Sequence, residues 1–311
     1  MRLVFLGTPA FAVPTLERVV EAGHTVLAVV TQPDRPRGRG QRPSAPPVKE
    51  TALRLGLPIY QPERVRSPEA VGYLRGLVVD AMVVVGYGQI IPQAVIDLAP
   101  MGIINVHASL LPKYRGAGPI QWAILNGDTR TGVTTMRIDA GLDTGDMLLK
   151  AETAIGAEEN AIELGRRLAA MGAELLVETL AGLAAGTIVP RKQDPAEATY
   201  APLLKKEDGV IDWNQPAEVI HNRIRGLQPW PGASTTFRGQ RLHVWRGKLG
   251  GPGSGQGPGR VVGLRPLVVG CGTGTLELVE VQLEGRKRIS TSDFVNGQRL
   301  AENEILGELQ S

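Results

Sequence analysis

Cysteine is almost missing from this chain: Cys271, flanked by glycines, is the only one among 311 residues. A single thiol can form neither an internal disulfide nor a thiolate metal cluster. His-x-x-His and Cys-x-x-Cys spacings are absent too, so no metal site is expected. No apolar run is read as approaching the roughly 20 residues that cross a bilayer, which predicts no membrane span. The first strand-like run, residues 3–6, begins without a signal-peptide layout ahead of it. Together these features predict a reducing, cytoplasmic setting. The dinucleotide fingerprint Gly-x-Gly-x-x-Gly is missing after the first strand, where Gly7-Thr8-Pro9 makes a single-glycine turn. A Gly-x-Ser-x-Gly elbow is also lacking, so Ser109 is set aside as a nucleophile.

What is present describes a globular chain with room for two domains: 42% hydrophobic and 21% charged residues. Net charge is only +3, which excludes a wholesale nucleic-acid coat. Its distribution is uneven. Residues 34–42 hold Arg35, Arg37, Arg39 and Arg42 against Asp34, a local +3 that equals the whole chain's excess. Arginine interleaved with glycine and proline predicts a mobile cationic finger suited to phosphates.

Apolar runs at residues 3–6, 26–30 and 81–85 read as buried parallel strands, with helical spacing between them. A further run ends at Gly102-Ile103-Ile104, and residues 160–185 form the longest helical pattern. Alternating strands and helices predict an α/β domain over residues 1–189, with a Rossmann-like, doubly wound and mostly parallel sheet. Residues 190–206 lack an apolar period and read as a linker. Over residues 207–311, short strands separated by turn glycines predict a small OB-like β-barrel. Residues 206–300 carry 13 Lys+Arg and 8 Asp+Glu, a net +5 that suits a polyanionic partner. The glycine-rich stretch 250–259 reads as a disordered hairpin loop.

The chemistry concentrates at Asn105-Val106-His107-Ala108-Ser109-Leu110-Leu111-Pro112. On a strand, Asn105 and His107 share one face. At a strand's carboxyl end they lie where open α/β sheets place ligands. A second polar loop, Asp139 to Asp146, can bring Asp143 to the same place. An amide, an imidazole and a carboxylate without a nucleophile suit acyl transfer, in which the acceptor supplies the attacking group. Asn105 and His107 are expected to donate to an oxyanion. Asp143 is expected to orient His107 or to take a proton.

These motifs resemble the 10-formyltetrahydrofolate-dependent formyltransferases. The carriers are Asn105-x-His107-x-Ser109-Leu110-Leu111-Pro112 with Tyr114-Arg115-Gly116, and Gly141-Leu142-Asp143-Thr144-Gly145-Asp146. Within that family the resemblance runs nearly full length to the branch that formylates methionyl-initiator tRNA. Gly7-Thr8-Pro9, the run from Thr31 to Gly40, and Trp230-Pro231-Gly232 extend it. The resemblance implies a catalytic trio of Asn105, His107 and Asp143, and a folate-binding segment of Ser109, Leu110, Leu111 and Pro112. Backbone at 86–90 and 139–143 would line the pterin pocket. The Arg finger would meet the tRNA acceptor end, with Arg39 best placed. Two relatives of the same chemistry act on glycinamide ribonucleotide or on nucleotide sugars. The first resembles only about the first 190 residues, and the second has no use for an Arg finger. A non-catalytic RNA-binding protein is a third alternative, disfavoured by the intact trio. Nothing in the chain demands a partner subunit, and a monomer is expected.

Overall fold

The computed structural model describes residues 1–37, 42–252 and 257–307. It divides into two compact units. Unit 1 comprises Met1–Gly116, Thr131–Thr153 and Gly165–Ala201. Unit 2 comprises Ala117–Arg130, Ala154–Leu164 and Pro202–Ser311.

Unit 1 is built on strands β1 (Arg2–Gly7), β2 (Thr25–Val30), β5 (Ile59–Tyr60), β6 (Ala81–Val85), β7 (Ile103–His107), β8 (Arg130–Arg137) and β9 (Met147–Ala154). The spatial order is β5-β2-β1-β6-β7-β8-β9. Pairing is parallel from β5 to β7, and β8 then runs antiparallel to β7, with Asn105 opposite Met136 and His107 opposite Thr134. The continuous apolar runs arise because both sheet faces are covered. One face packs Leu3, Phe5, Val83, Ile104 and Val106 against helices α1 (Val13–Glu21), α2 (Pro47–Arg54) and α6 (Ala161–Ala185). The other packs Val4, Leu6, Met82 and Ile103 against α3 (Pro68–Arg75) and α4 (Gln93–Ile96).

Helix α6 bears on the expected absence of a membrane span. By length and composition alone it could cross a membrane. Leu168, Leu176 and Leu180 are buried, and the helix packs closely enough that a Cβ on Gly172 would lie 2.6 Å from Val106. Its apolar character therefore follows from covering the back of β7.

Residues 190–206, expected as a linker, are not a free segment. Arg191 exchanges two 2.8 Å backbone hydrogen bonds with Met147 at the start of β9, and the chain stays within unit 1 as far as Ala201. The Arg finger also differs from a wholly mobile loop. Strands β3 (Arg35–Arg37) and β4 (Arg42–Ser44) form a two-stranded ribbon, with Arg35 opposite Ser44 and Arg37 opposite Arg42. Arg39 lies outside the described residues.

Unit 2 holds α5 (Pro119–Leu125), α7 (Ala217–Gly226), β10 (Ala233–Phe237), β11 (Gln240–Leu249), β12 (Val261–Leu264), β13 (Leu267–Gly270), β14 (Thr275–Leu283), β15 (Ile289–Ser290) and α8 (Thr291–Gln298). The antiparallel order is β10-β11-β14-β13-β12, with β15 beside β14. Phe237 of β10 and Val261 of β12 share one core with Trp213 and Phe294. The gap between these end strands is bridged by residues 303–307. Asn303 N–H donates to the Val261 carbonyl at 2.9 Å, and Gly307 N–H donates to the Thr236 carbonyl at 2.9 Å. An irregular segment thus completes the barrel-like sheet. The loop expected at 250–259 falls partly outside the described residues.

Strands β8 and β9 pack tightly at Gly132, where a Cβ would lie 2.1 Å from the Ala151 carbonyl oxygen and 2.6 Å from a Leu110 methyl. Backbone cannot yield there without opening the pair. Gly132→Ala is expected to cost about 1–3 kcal/mol of stability, read as a lower urea midpoint at unchanged slope. An unchanged midpoint would show that the two strands are not packed this tightly.

Candidate active site

The site begins where β7 ends. Alternation turns Val106 toward α6 and leaves Asn105 and His107, 9% and 6% exposed, on the opposite face. The Asn105 amide makes no hydrogen bond among the described residues, and neither of its polar atoms is sealed in the interior. It is a donor in reserve. His107 is engaged: its Nε2 lies 2.9 Å from the Tyr114 carbonyl. A carbonyl only accepts, so Nε2 carries the proton and Nδ1 offers a lone pair in the neutral ring.

The following loop is tied down residue by residue. Ser109 is fully buried and its hydroxyl donates to the Lys113 carbonyl at 2.5 Å, so its oxygen is not exposed as a nucleophile. Thr134 Oγ1 donates to the Ser109 carbonyl at 2.7 Å and accepts from Leu111 N–H at 3.1 Å. Lys150 Nζ donates to the Leu111 carbonyl. Burial lowers the Lys150 pKa, with nearby Glu197 opposing that shift. Ser109, Leu111 and Pro112 are enclosed by protein and Leu110 is half-buried, so this segment presents a braced backbone more than open side chains.

Asp143 comes from the loop between β8 and β9. Its Oδ2 accepts from Gly116 N–H at 2.8 Å and lies 3.7 Å from His107 Nδ1. That last separation exceeds a hydrogen bond. The carboxylate therefore faces the imidazole without being bonded to it, and the Tyr114 carbonyl orients the ring. Asp139 stabilises the same loop, its Oδ1 accepting from Gly141 N–H at 3.0 Å and from the Thr144 hydroxyl at 2.7 Å. The structure thus brings Asn105, His107 and Asp143 into one neighbourhood. In this arrangement Nε2 is committed to the Tyr114 carbonyl and Nδ1 faces Asp143.

The ends of β1 and β6 lie at the point where the strand order reverses, the usual ligand crevice of an open sheet. Thr8 Oγ1 donates to the Tyr87 carbonyl at 2.9 Å, joining the two loops. Gly86 and Gly88 adopt φ of 56° and 84°, a conformation that a Cβ would strain. Tyr87 is buried and its hydroxyl has no partner among the described residues. Burial, with a smaller contribution from Tyr60, pushes this phenol up to about 12. Ile90 and Leu142, 90% and 61% exposed, leave uncovered apolar surface on the two loops expected to line the pterin pocket.

At the finger's base, Lys49 Nζ donates to both Asp34 oxygens at 2.8 and 2.7 Å, and Gln61 donates at 2.8 Å. The Gln61 and Lys49 hydrogen bonds hold the Asp34 carboxyl below its ordinary pKa. The finger's one acidic group is thereby paired from outside the finger. Sequence reasoning missed the Tyr114 carbonyl and Lys150. The first is a backbone group, and the second is an isolated polar residue with no periodic signal.

Comparison with known proteins matches this architecture at both ends. The formyl transferase model matches residues 1–180, and the formyl transferase C-terminal domain model matches residues 203–299. A methionyl-tRNA formyltransferase from Solibacter usitatus is 74% identical over 308 residues, covering 99% of each chain. Among solved structures, the N-formyltransferase from Helicobacter canadensis in complex with folinic acid and dTDP-3-aminofucose aligns with TM-score 0.67 at 18% identity. That alignment covers 89% of this chain and 98% of the other. Methionyl-tRNA formyltransferase from Clostridium thermocellum aligns with TM-score 0.55 at 19% identity, covering 80% and 93%. At such identities the structural likenesses speak to fold alone. With two family models spanning most of its length and a near full-length relative at 74% identity, the chain belongs to the formyl transferase family.

Proposed function

We propose that this chain transfers the formyl group of 10-formyltetrahydrofolate to the amine of methionyl-initiator tRNA, giving N-formylmethionyl-tRNA. The observation that carries the reading is 74% identity, over 99% of both chains, to a protein named methionyl-tRNA formyltransferase. A glycinamide ribonucleotide acceptor fits poorly with a family match that continues through residues 203–299. A nucleotide-sugar acceptor leaves the arginines at 35, 37, 39 and 42 without a task.

The geometry supports the following chemistry. The acceptor amine attacks the formyl carbon, and negative charge gathers on the formyl oxygen. Asn105, whose amide is unengaged, donates to that oxygen; such donors act without reorganising as charge develops. Attack also releases a proton from the amine. Asp143 Oδ2, which lies 3.7 Å from His107 Nδ1, is the acceptor at hand and takes that proton directly or through water. The carbon–nitrogen bond to the folate then breaks, and the proton returns to the departing nitrogen. Folate fits the donor site in two respects. Exposed Ile90 and Leu142 offer apolar cover to a flat heterocycle, and braced backbone at 109–112 offers fixed polar groups. The net +5 over residues 206–300 and the Arg finger supply the attraction for tRNA phosphates.

Asn105→Ala is expected to lower kcat about 10²–10³-fold, the usual loss for an oxyanion donor, while methionyl-tRNA affinity measured by filter binding changes little. Near-normal turnover would remove Asn105 from this role. For the finger, Arg39→Ala should reduce kcat/KM for methionyl-tRNA and flatten the salt dependence of binding by about one phosphate contact. Equal rates and equal salt slopes in the two proteins would make the finger a plain surface loop.

A further inference from the structure

We propose that Gln193 is a positioning residue that fixes Asp143 opposite His107. This rests on the catalytic reading of Asp143 given above. Gln193 is 8% exposed, and its amide is saturated by groups of the two active-site loops. Nε2 donates to the Asp143 carbonyl at 2.7 Å and to the Gly145 carbonyl at 2.9 Å. Oε1 accepts from Arg115 Nε at 3.0 Å, and Arg115 is itself 5% exposed. Two carbonyls demand donors and one guanidinium demands an acceptor, so only a correctly oriented amide satisfies all three. One side chain thus ties the loop carrying Asp143 to the loop that follows His107.

Asp143 has a reason to need this. Its φ is 52°, in the left-handed region that costs a non-glycine residue free energy unless its surroundings enforce it. Its carboxylate is aimed by one bond from Gly116 N–H, and its carbonyl is held by Gln193. Gly145 leaves no slack, since a Cβ there would lie 1.9 Å from the Arg137 carbonyl oxygen.

The segment that carries Gln193 grips both halves of the site. Near its start Arg191 is bonded to Met147, beyond the Asp143 loop. At its other end Thr199 Oγ1 accepts from Tyr114 N–H at 2.9 Å, the Thr199 carbonyl accepts from Arg115 N–H at 2.8 Å, and Ala201 N–H donates to the Arg115 carbonyl at 2.8 Å. Tyr114 is the residue whose carbonyl orients His107. Residues 191–201 therefore act as a strap across the two loops, with Gln193 as its contact to Asp143.

The test is a double-mutant cycle on folate-dependent formylation of methionyl-initiator tRNA, with thermal melting to verify folding. Gln193→Ala is expected to lower kcat about 10- to 100-fold, as small misplacements of catalytic groups do, with both KM values nearly unchanged. Gln193→Glu keeps the shape and the Arg115 partner but sets an acceptor against two carbonyls, so its kcat should fall as far. In an Asp143→Ala background, either substitution should lower kcat by less than about 2-fold, because groups acting as a unit are not additive. Losses that multiply in that background, or full kcat in folded Gln193→Ala or Gln193→Glu protein, would overturn the proposal. Full kcat in Asp143→Ala alone would overturn the catalytic reading instead.

Discussion

Along β7 successive residues point to opposite faces, so Asn105 and His107 share one side while Val106 is pressed against α6 near Gly172. Everything else in the site is arranged around that pair. The strand cannot shift, because it is buried on both faces between β6 and β8. A one-residue slip would exchange the amide and the imidazole for the apolar side chains of Ile104 and Val106. The rigid part of the chemistry is thus set by sheet register.

The remaining groups come from irregular loops, which have no ladder to hold them and must be fixed by individual hydrogen bonds. Tyr114 carbonyl sets the imidazole, Gly116 N–H sets the Asp143 carboxylate, and Thr134 braces the backbone at Ser109 and Leu111. These partners are mostly buried backbone groups, which would be costly to leave unpaired. Stability and orientation therefore have a common source: breaking one of these bonds both destabilises a loop and moves a candidate catalytic group. The formyl transferase fold supplies the platform, and the loops supply the geometry.

Strands legible in the sequence were those whose signal is apolar burial. Residues 81–85 are buried throughout, as their unbroken run implies, and the polar pair after Ile104 stands out against that background. Asp143 was legible as part of a glycine-flanked polar loop. Gln193 and Thr199 were not, because a strap held by hydrogen bonds has no apolar period and reads like a linker. The same blindness hid the β3–β4 ribbon, whose register rests on backbone pairing between arginine- and proline-rich strands, and α8, whose N-cap is Ser290. The long helix at residues 160–185 is legible from its spacing, and its apolar character is that of a sheet-covering helix. A helix that covers a sheet face can be apolar enough to pass as a membrane span.

Acceptor choice is the part of the function that β7 and its loops do not encode, since an amine attacking a formyl carbon needs the same oxyanion donor and proton acceptor whatever it is attached to. On the proposed reading the distinction rests on the Arg finger and on the basic C-terminal portion. The most direct measurement is therefore a competition for one formyl donor, 10-formyltetrahydrofolate, among charged initiator tRNA, charged elongator tRNA and glycinamide ribonucleotide. Formylation of initiator methionyl-tRNA at a kcat/KM far above the other two is the predicted result. Preferential formylation of glycinamide ribonucleotide, or no transfer to charged tRNA, would contradict the account.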